Sequence, residues 1–151
     1  MKGRRVYLDS SALIKRYIKE KDSEIVEGLY KEAYSGEVRL ITSLWNVGEA
    51  LGVFDRTRRR KLIDEKTYDF IRRALLSDIK RLSRLGVLEL VPVHSMLLAD
   101  AWNVLQRHHI YQADALQIVS AKYGSAEEFY TADKRLHRVA LEEGLNSILL
   151  G

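Results

Sequence analysis

Short apolar runs alternate with longer amphipathic patterns along all 151 residues, and this alternation most constrains the fold. Strands that are separated by helices pair in parallel, through right-handed crossovers that put helices on both faces of the sheet. The sequence therefore predicts an α/β protein, a three-layer α/β/α sandwich with a central, mainly parallel sheet. Because 151 residues is about the length of one domain, we expect a single domain over residues 1–151.

Strands are predicted where a β-like run is closed by polar, proline or glycine residues, at 5–9, 38–41, 87–93, 129–130 and 147–150. Helices are predicted between them from a spacing of apolar residues close to 3.6. Ser10 or Ser11 is expected to cap the first helix, and Ser95 a later one. Trp45 and Trp102 fall on apolar helix faces, so we expect both in the core rather than as platforms on which bases stack.

Composition narrows the class of protein. Lys and Arg number 25 against 21 Asp and Glu, a net charge of +4 that permits a polyanionic partner. The chain has no Cys, which excludes a disulfide framework, a thiolate metal site and a Cys nucleophile. No stretch approaches ~18 uncharged apolar residues, so we expect no membrane span and a cytoplasmic location.

Four carboxylates stand out by position. Asp9 closes the first predicted strand and Asp133 follows a later one. In parallel sheets the ligand crevice lies outside the carboxyl ends of the strands, so both should reach it. Glu49 and Asp114 interrupt helix faces that are otherwise apolar. Taken singly, Asp9 is equally consistent with a helix N-cap, and Asp114 with an acid in a first helical turn.

Four carboxylates in one crevice repel one another and raise one another's pKa, and burying such charges unpaired is costly. A divalent cation resolves that conflict. Oxygen ligands without Cys or a His pair select Mg²⁺ or Mn²⁺. Such an ion can activate water and stabilise charge on a phosphodiester.

The segments that hold these acids resemble the PIN domain family, in particular the VapC-type toxins of bacterial and archaeal toxin–antitoxin pairs. The resemblance runs from about Val6 to Leu150. It is carried by four motifs in order: Tyr-Leu-Asp9-Ser10-Ser11-Ala-Leu, Asn46-Val-Gly-Glu49-Ala-Leu, Ala-Asp114-Ala-Leu-Gln-Ile-Val-Ser-Ala and Thr131-Ala-Asp133-Lys-Arg-Leu.

The resemblance implies a PIN-like fold and a Mg²⁺- or Mn²⁺-dependent endoribonuclease that leaves a 5′-phosphate and a 3′-hydroxyl. It also implies an RNA substrate, an antitoxin protein partner and a homodimer. Asp9 and Asp114 would be the most direct metal ligands. Asp133 would hold a ligand water or a second metal, and Glu49 would position or deprotonate the attacking water.

The same resemblance gives two hydroxyl residues, Ser11 and Thr131, the task of orienting the carboxylates.

Other polar residues leave alternatives open. A basic run lies between residues 56 and 61. It could track an RNA backbone, be a solvated helix end, or dock an acidic antitoxin segment. His108 and His109 could act as ligand or general base, although helix-end histidines are commoner. Tyr111 is a candidate for stacking on a base. The basic run consists of Arg56, Arg58, Arg59, Arg60 and Lys61.

Two further function classes compete with the nuclease. A catalytically silent PIN-like module would bind RNA or protein without cutting, and the complete acidic set argues against it. Phosphoryl transfer through an aspartyl-phosphate on Asp9 is a weaker alternative, because the haloacid-dehalogenase pattern needs an Asp where Ser11 stands.

Overall fold

Five parallel strands form one sheet in the order β3-β2-β1-β4-β5. The computed structural model describes residues 3–151. The strands are β1 (Arg4–Leu8), β2 (Val38–Ser43), β3 (Leu88–Val91), β4 (Glu128–Thr131) and β5 (Ser147–Leu149). The helices are α1 (Ser10–Ile14), α2 (Ser23–Tyr34), α3 (Leu44–Arg59), α4 (Glu65–Arg84), α5 (Ser95–His108), α6 (Gln112–Tyr123) and α7 (Lys134–Glu142).

The core is divided by the sheet into two layers of buried side chains. One layer packs α1 to α4 against the sheet, and the other packs α5 to α7 against the opposite face. The three-layer α/β/α arrangement predicted from the sequence is confirmed. None of the helices in residues 3–151 is both long enough and apolar enough to cross a membrane.

Side chains of the central strands alternate between the two layers, as a pleated strand requires. In β1, Val6 and Leu8 enter the first layer, and Tyr7 enters the second. Tyr7 stacks on Phe129 of β4, with ring centroids 5.3 Å apart. Because both faces of the sheet are covered, the buried part of β1, residues 6–8, is a continuous apolar run.

The two predicted serine caps are wrong, and the alternative that Asp9 is a helix N-cap is confirmed. Asp9, not Ser10 or Ser11, caps α1, and its Oδ1 accepts a hydrogen bond from the Ala12 amide at 2.9 Å. His94, not Ser95, caps α5 through its Nδ1. In both cases the chain turns helical immediately after an extended residue, so the extended residue supplies the capping atom.

The two tryptophans are not in the core, contrary to the prediction. Trp45 is 47% exposed and Trp102 is 48% exposed. Trp45 is the second residue of α3, beyond the last residue of β2, so its part of the helix projects past the sheet.

A buried carboxylate ties α2 and α4 to the segment that follows α1. Asp78 of α4 accepts hydrogen bonds from the hydroxyls of Tyr17, at 2.7 Å, and Tyr34, at 2.6 Å. Nε of Arg16 lies 3.3 Å from the same carboxylate, and its guanidinium covers the ring of Tyr30. Removing the carboxylate therefore leaves several partly buried donors without an acceptor.

We expect Asp78→Ala to lower the free energy of unfolding by about 3 kcal/mol, because a partly buried cation and two hydroxyls lose their partner. Urea-induced unfolding measures this. Asp69→Ala is the matched control on the same helix, since it removes an exposed acid that pairs only with Arg72 and Arg73. The control should be close to neutral; equal losses in the two variants would contradict the prediction.

Candidate active site

The order of the strands creates a crevice between β1 and β4. From β1 the chain moves outward to β2 and β3, and then returns to the other side of β1 to form β4. Ligand crevices of parallel sheets form at such switch points. Leu8 pairs with Tyr130, and the Asp9 amide donates to the Tyr130 carbonyl at 3.2 Å. Asp9 and Asp133 therefore follow neighbouring strands.

Ser11 joins the two strand ends through its hydroxyl. It donates to Oδ1 of Asp9 at 2.7 Å and accepts from the Ala132 amide at 2.9 Å. Thr131 is buried, and its Oγ1 accepts from the Asp133 amide at 3.0 Å. These contacts hold the loops that carry Asp9 and Asp133 in fixed positions.

The carboxylate of Asp9 is buried, at 3% exposure. Burial, the largest cause, and the nearby charge of Asp133 raise its pKa, which stands at about 6 when all its contacts are included. The hydroxyls of Thr131 and Ser11 and the Ala12 amide act in the opposite direction. The net effect is a carboxylate whose charged form is costly in the metal-free protein.

Glu49 and Asp114 approach the crevice from opposite layers. Glu49 lies on α3 and Asp114 lies in the first turn of α6, and both are half-buried. The pKa of Asp114 is raised, first by burial and then by the charges of Asp133 and Glu49, while Arg135 lowers it. Asp133 thus lies within electrostatic reach of both Asp9 and Asp114, and Glu49 lies within reach of Asp114.

Within the described residues, no Lys, Arg or His forms an ion pair with any of these four carboxylates. Across residues 3–151, no three Asp, Glu or His side chains are grouped closely enough to hold a metal ion.

A buried amide pair joins the two helices that carry Glu49 and Asp114. Nε2 of Gln117 donates to Oδ1 of Asn46 at 2.7 Å, and Nδ2 of Asn46 donates to Oε1 of Gln117 at 2.9 Å. The Tyr7 hydroxyl donates to the same Gln117 oxygen at 2.6 Å. Asn46 lies one helical turn before Glu49, and Gln117 one turn after Asp114, so the pair fixes the two acids relative to each other.

Sequence reasoning missed this amide pair. Gln117 falls within the third family motif, which assigns it no role, although it interrupts the apolar run Ala-Leu-Gln-Ile-Val. A polar side chain inside such a run on a buried helix requires a partner, which was the available signal.

An open cavity of about 610 Å³ adjoins Glu49 on the α1–α3 side. Its wall includes Trp45, Arg56 and the hydroxyl residues Ser10 and Ser11.

The basic run is mostly helical, because α3 continues to Arg59. Arg58 and Arg59 both pair with Asp55, and Arg58 also covers the ring of Tyr68. Arg56 and Lys61 occur in none of the ion pairs formed by residues 3–151. The run is thus not a uniform surface of available cations.

The other candidate residues are two histidines and a tyrosine, of which one histidine has acidic partners and the tyrosine is exposed. His108 contacts Glu143 and Glu142 at the end of α7, as expected of a helix-end histidine, and His109 ends α5 with a positive φ of 58°. Tyr111 precedes α6 and is 80% exposed.

The chain belongs to the PIN domain family, whose profile matches residues 6–142. Members of this family are generally nucleases. No curated protein sequence matches the chain significantly.

Solved structures share the fold at low sequence identity. VapC20 of Mycobacterium tuberculosis, described as a toxin that cleaves the sarcin–ricin loop, is 17% identical with a TM-score of 0.64, over 95% of this chain and 98% of that one. PAE2754 of Pyrobaculum aerophilum is 15% identical with a TM-score of 0.67, over 95% and 83%. FitAcB of Neisseria gonorrhoeae is 16% identical with a TM-score of 0.63, over 95% and 96%.

We expect Asp9→Asn to stabilise the metal-free protein at neutral pH. The folded-state pKa of Asp9, about 6, exceeds the ordinary value of 3.8, so the folded state binds the proton more tightly. The cost of the buried charge is therefore absent below about pH 4 and fully present above about pH 6. Asn keeps a side-chain oxygen that can accept from the Ala12 amide, without the charge.

Urea unfolding in EDTA should show a gain of about 2–3 kcal/mol at neutral pH that vanishes near pH 4. Asp100→Asn, on the exposed face of α5, is the control and should show no such difference. A loss of stability at neutral pH in Asp9→Asn would be the contrary result.

The amide pair predicts coupled rather than additive mutational effects. Asn46→Leu and Gln117→Leu should each lower the free energy of unfolding by about 2 kcal/mol, because each leaves the other amide buried without its partner. The double variant should cost clearly less than the sum of the two. A double-mutant cycle by urea unfolding measures the coupling, and strictly additive losses would contradict it.

Proposed function

We propose that this chain is a Mg²⁺- or Mn²⁺-dependent endoribonuclease that hydrolyses RNA phosphodiester bonds, and the toxin of a VapBC-type toxin–antitoxin pair. One observation carries the proposal. Four carboxylates from two strand ends and two helices converge at the switch point of a PIN domain, and no cation of residues 3–151 pairs with them.

The donor chemistry of the four acids suits a divalent metal. The carboxylate of Asp9 is buried, and desolvation raises its pKa. The pKa of Asp114 is raised by burial and by the charges of neighbouring acids. A cation would relieve both costs. The available donors are oxygens, which suit Mg²⁺ or Mn²⁺ better than zinc. When bound, such an ion supplies an activated water and charge stabilisation at phosphorus.

Each acid has a separate proposed role. Asp9 and Asp114 are the direct metal ligands, and Asp133 holds a ligand water or a second ion. Glu49 positions the attacking water and takes its proton, and its place on the cavity wall supports a position beside the substrate. Ser11 orients Asp9 through the hydrogen bond that it donates to Oδ1.

Thr131 is proposed to position the backbone of Asp133, through the hydrogen bond that its Oγ1 accepts from the Asp133 amide. We also retain the basic run, Arg56 and 58–61, as a candidate RNA contact. Its residues follow Glu49 on the same helix or directly after it.

The proposal includes partners and setting. We propose an antitoxin protein and a homodimer as the assembled forms, within one domain of residues 1–151, acting in the cytoplasm where RNA is the substrate. The net charge of +4 supports an anionic partner.

Asp114→Asn and Asp9→Asn should each reduce RNA cleavage at least about 100-fold, because each removes a proposed metal ligand. Both variants should remain folded, since each substitution is nearly isosteric. Cleavage of labelled single-stranded RNA in Mn²⁺, with circular dichroism of each variant, measures this.

Calorimetric titration with Mn²⁺ gives a second readout, in which binding to the wild type should be lost in Asp114→Asn. Asp100→Asn is the matched control and should retain both activity and metal binding. Full activity in the two active-site variants would refute the nuclease assignment. RNA binding without cleavage in the wild type would favour the silent binding module instead.

A further inference from the structure

The cavity beside Glu49 has chemically distinct walls. One end is the indole of Trp45, and the other is the side chain of Arg56, three helical turns away along α3. Glu49 lies between them, so the cavity shares a wall with the proposed catalytic acids. A group bound here would lie directly beside the proposed reaction centre.

Trp45 is exposed, whereas several other aromatic rings are buried in the core. Tyr7, Tyr30, Phe54 and Phe129 are almost completely buried, whereas Trp45 retains 47% of its surface. No other aromatic ring of residues 3–151 stacks on it. Its indole is therefore a flat apolar surface that is available to a ligand at the cavity.

Arg56 is the member of the basic run that reaches this cavity. Arg58 and Arg59 are held by Asp55, while no acid among residues 3–151 pairs with Arg56. A Cβ built at Gly52 would lie 3.7 Å from Nη1 of Arg56, so the guanidinium folds back over Gly52 toward Glu49. The cation is thus directed into the cavity and has no partner there.

The floor of the cavity between these two side chains lacks side-chain bulk. Gly48 and Gly52 lie one helical turn apart on α3, and both line the cavity. A Cβ at Gly48 would meet nothing within 4 Å, so packing within the chain does not require glycine there. Glycine inside a helix is destabilising, and at this position it keeps the cavity deep enough for a flat group.

We propose that this cavity is a subsite for unpaired RNA, in which Trp45 stacks on one base and Arg56 binds a phosphate further along the same strand. The proposal rests on the proposed ribonuclease function and adds which residues hold the substrate next to the cut. Stacking on an indole tolerates every base, so the subsite requires an unpaired nucleotide rather than a particular sequence.

The chemistry of the walls favours a nucleotide over a peptide helix or a second copy of the chain. An unpaired RNA strand combines planar apolar bases with a negative charge at every nucleotide, which matches one indole and one unpaired guanidinium whose residues lie roughly 16 Å apart along the helix. An amphipathic helix would need a continuous apolar strip, whereas Glu49 and two seryl residues interrupt this cavity.

Tryptophan fluorescence tests the subsite directly, because the chain has only two tryptophans. In Trp102→Phe the emission comes from Trp45 alone, and in Trp45→Phe it comes from Trp102. An oligoadenylate RNA of about ten nucleotides, added in EDTA so that no cleavage occurs, is the probe. We expect it to quench the emission of Trp45 and to leave the emission of Trp102 nearly unchanged.

Affinity for the same RNA gives the second readout. Trp45→Ala should weaken binding about 5- to 100-fold, and Trp45→Phe should restore most of it, because the stacking surface returns. Arg56→Ala should weaken binding and reduce its dependence on salt. Arg84→Ala is the matched control. Like Arg56 it is exposed in the last turn of a helix, but it precedes β3 and so lies at the opposite end of the sheet.

Two glycine-to-alanine variants distinguish an effect on the space in the cavity from an effect on helix stability. Gly48→Ala should raise the melting temperature and yet weaken RNA binding, because its methyl group enters the cavity. Gly28→Ala, in the interior of α2, also meets nothing within 4 Å and should raise the melting temperature without changing binding.

The outcomes distinguish the subsite from the function on which it rests. If the wild type binds and cleaves RNA, but Trp45→Ala does so equally well and Trp45 is not quenched, the subsite is wrong and the nuclease stands. If the wild type neither binds nor cleaves RNA, the proposed function fails and the subsite fails with it. Loss of a dimer in Trp45→Ala by light scattering, with RNA affinity unchanged, would assign the cavity to a second copy and overturn the proposal.

Discussion

The buried carboxylate of Asp9 is the constraint on which the rest of the structure depends. The same oxygen caps α1 and accepts the hydroxyl of Ser11, which in turn holds the loop after β4. This charge lies at the end of β1, caps α1 and, through Ser11, holds the loop after β4. It cannot move to solvent without disturbing all three. The protein therefore keeps an acid where an isolated ion is unfavourable, which is typical of a group retained for chemistry rather than stability.

The order of strands and helices could be predicted from the sequence because it follows from periodicity and from what ends each run. The four acids could be found for a related reason: two follow strands, and two interrupt apolar helix faces. The closeness of Asp9 and Asp133 follows from parallel pairing, whereas the positions of Glu49 and Asp114 depend on how α3 and α6 pack. The shared profile and fold support the family that the same motifs indicated.

What the sequence did not predict depends on contacts between distant segments. The pairing of Asn46 with Gln117 joins helices that are 71 positions apart in the chain. The exposure of Trp45 depends on where β2 ends relative to the start of α3. Arg56 has no acidic partner because Asp55 forms ion pairs with Arg58 and Arg59 instead. Local pattern assigns a residue to a helix face, but tertiary packing decides what that face meets.

The division of the core into two layers has a consequence for synthesis of the chain. Asp9 and Glu49 leave the ribosome before Asp114 and Asp133. The central strand β1 also acquires its second neighbour late, because β4, whose Glu128 pairs with Val6, is made after β2 and β3. A nascent chain therefore lacks two of the four acids and keeps one edge of β1 open until β4 has been made. The activity proposed for this protein would be withheld from the ribosome that is making it, whatever other control exists.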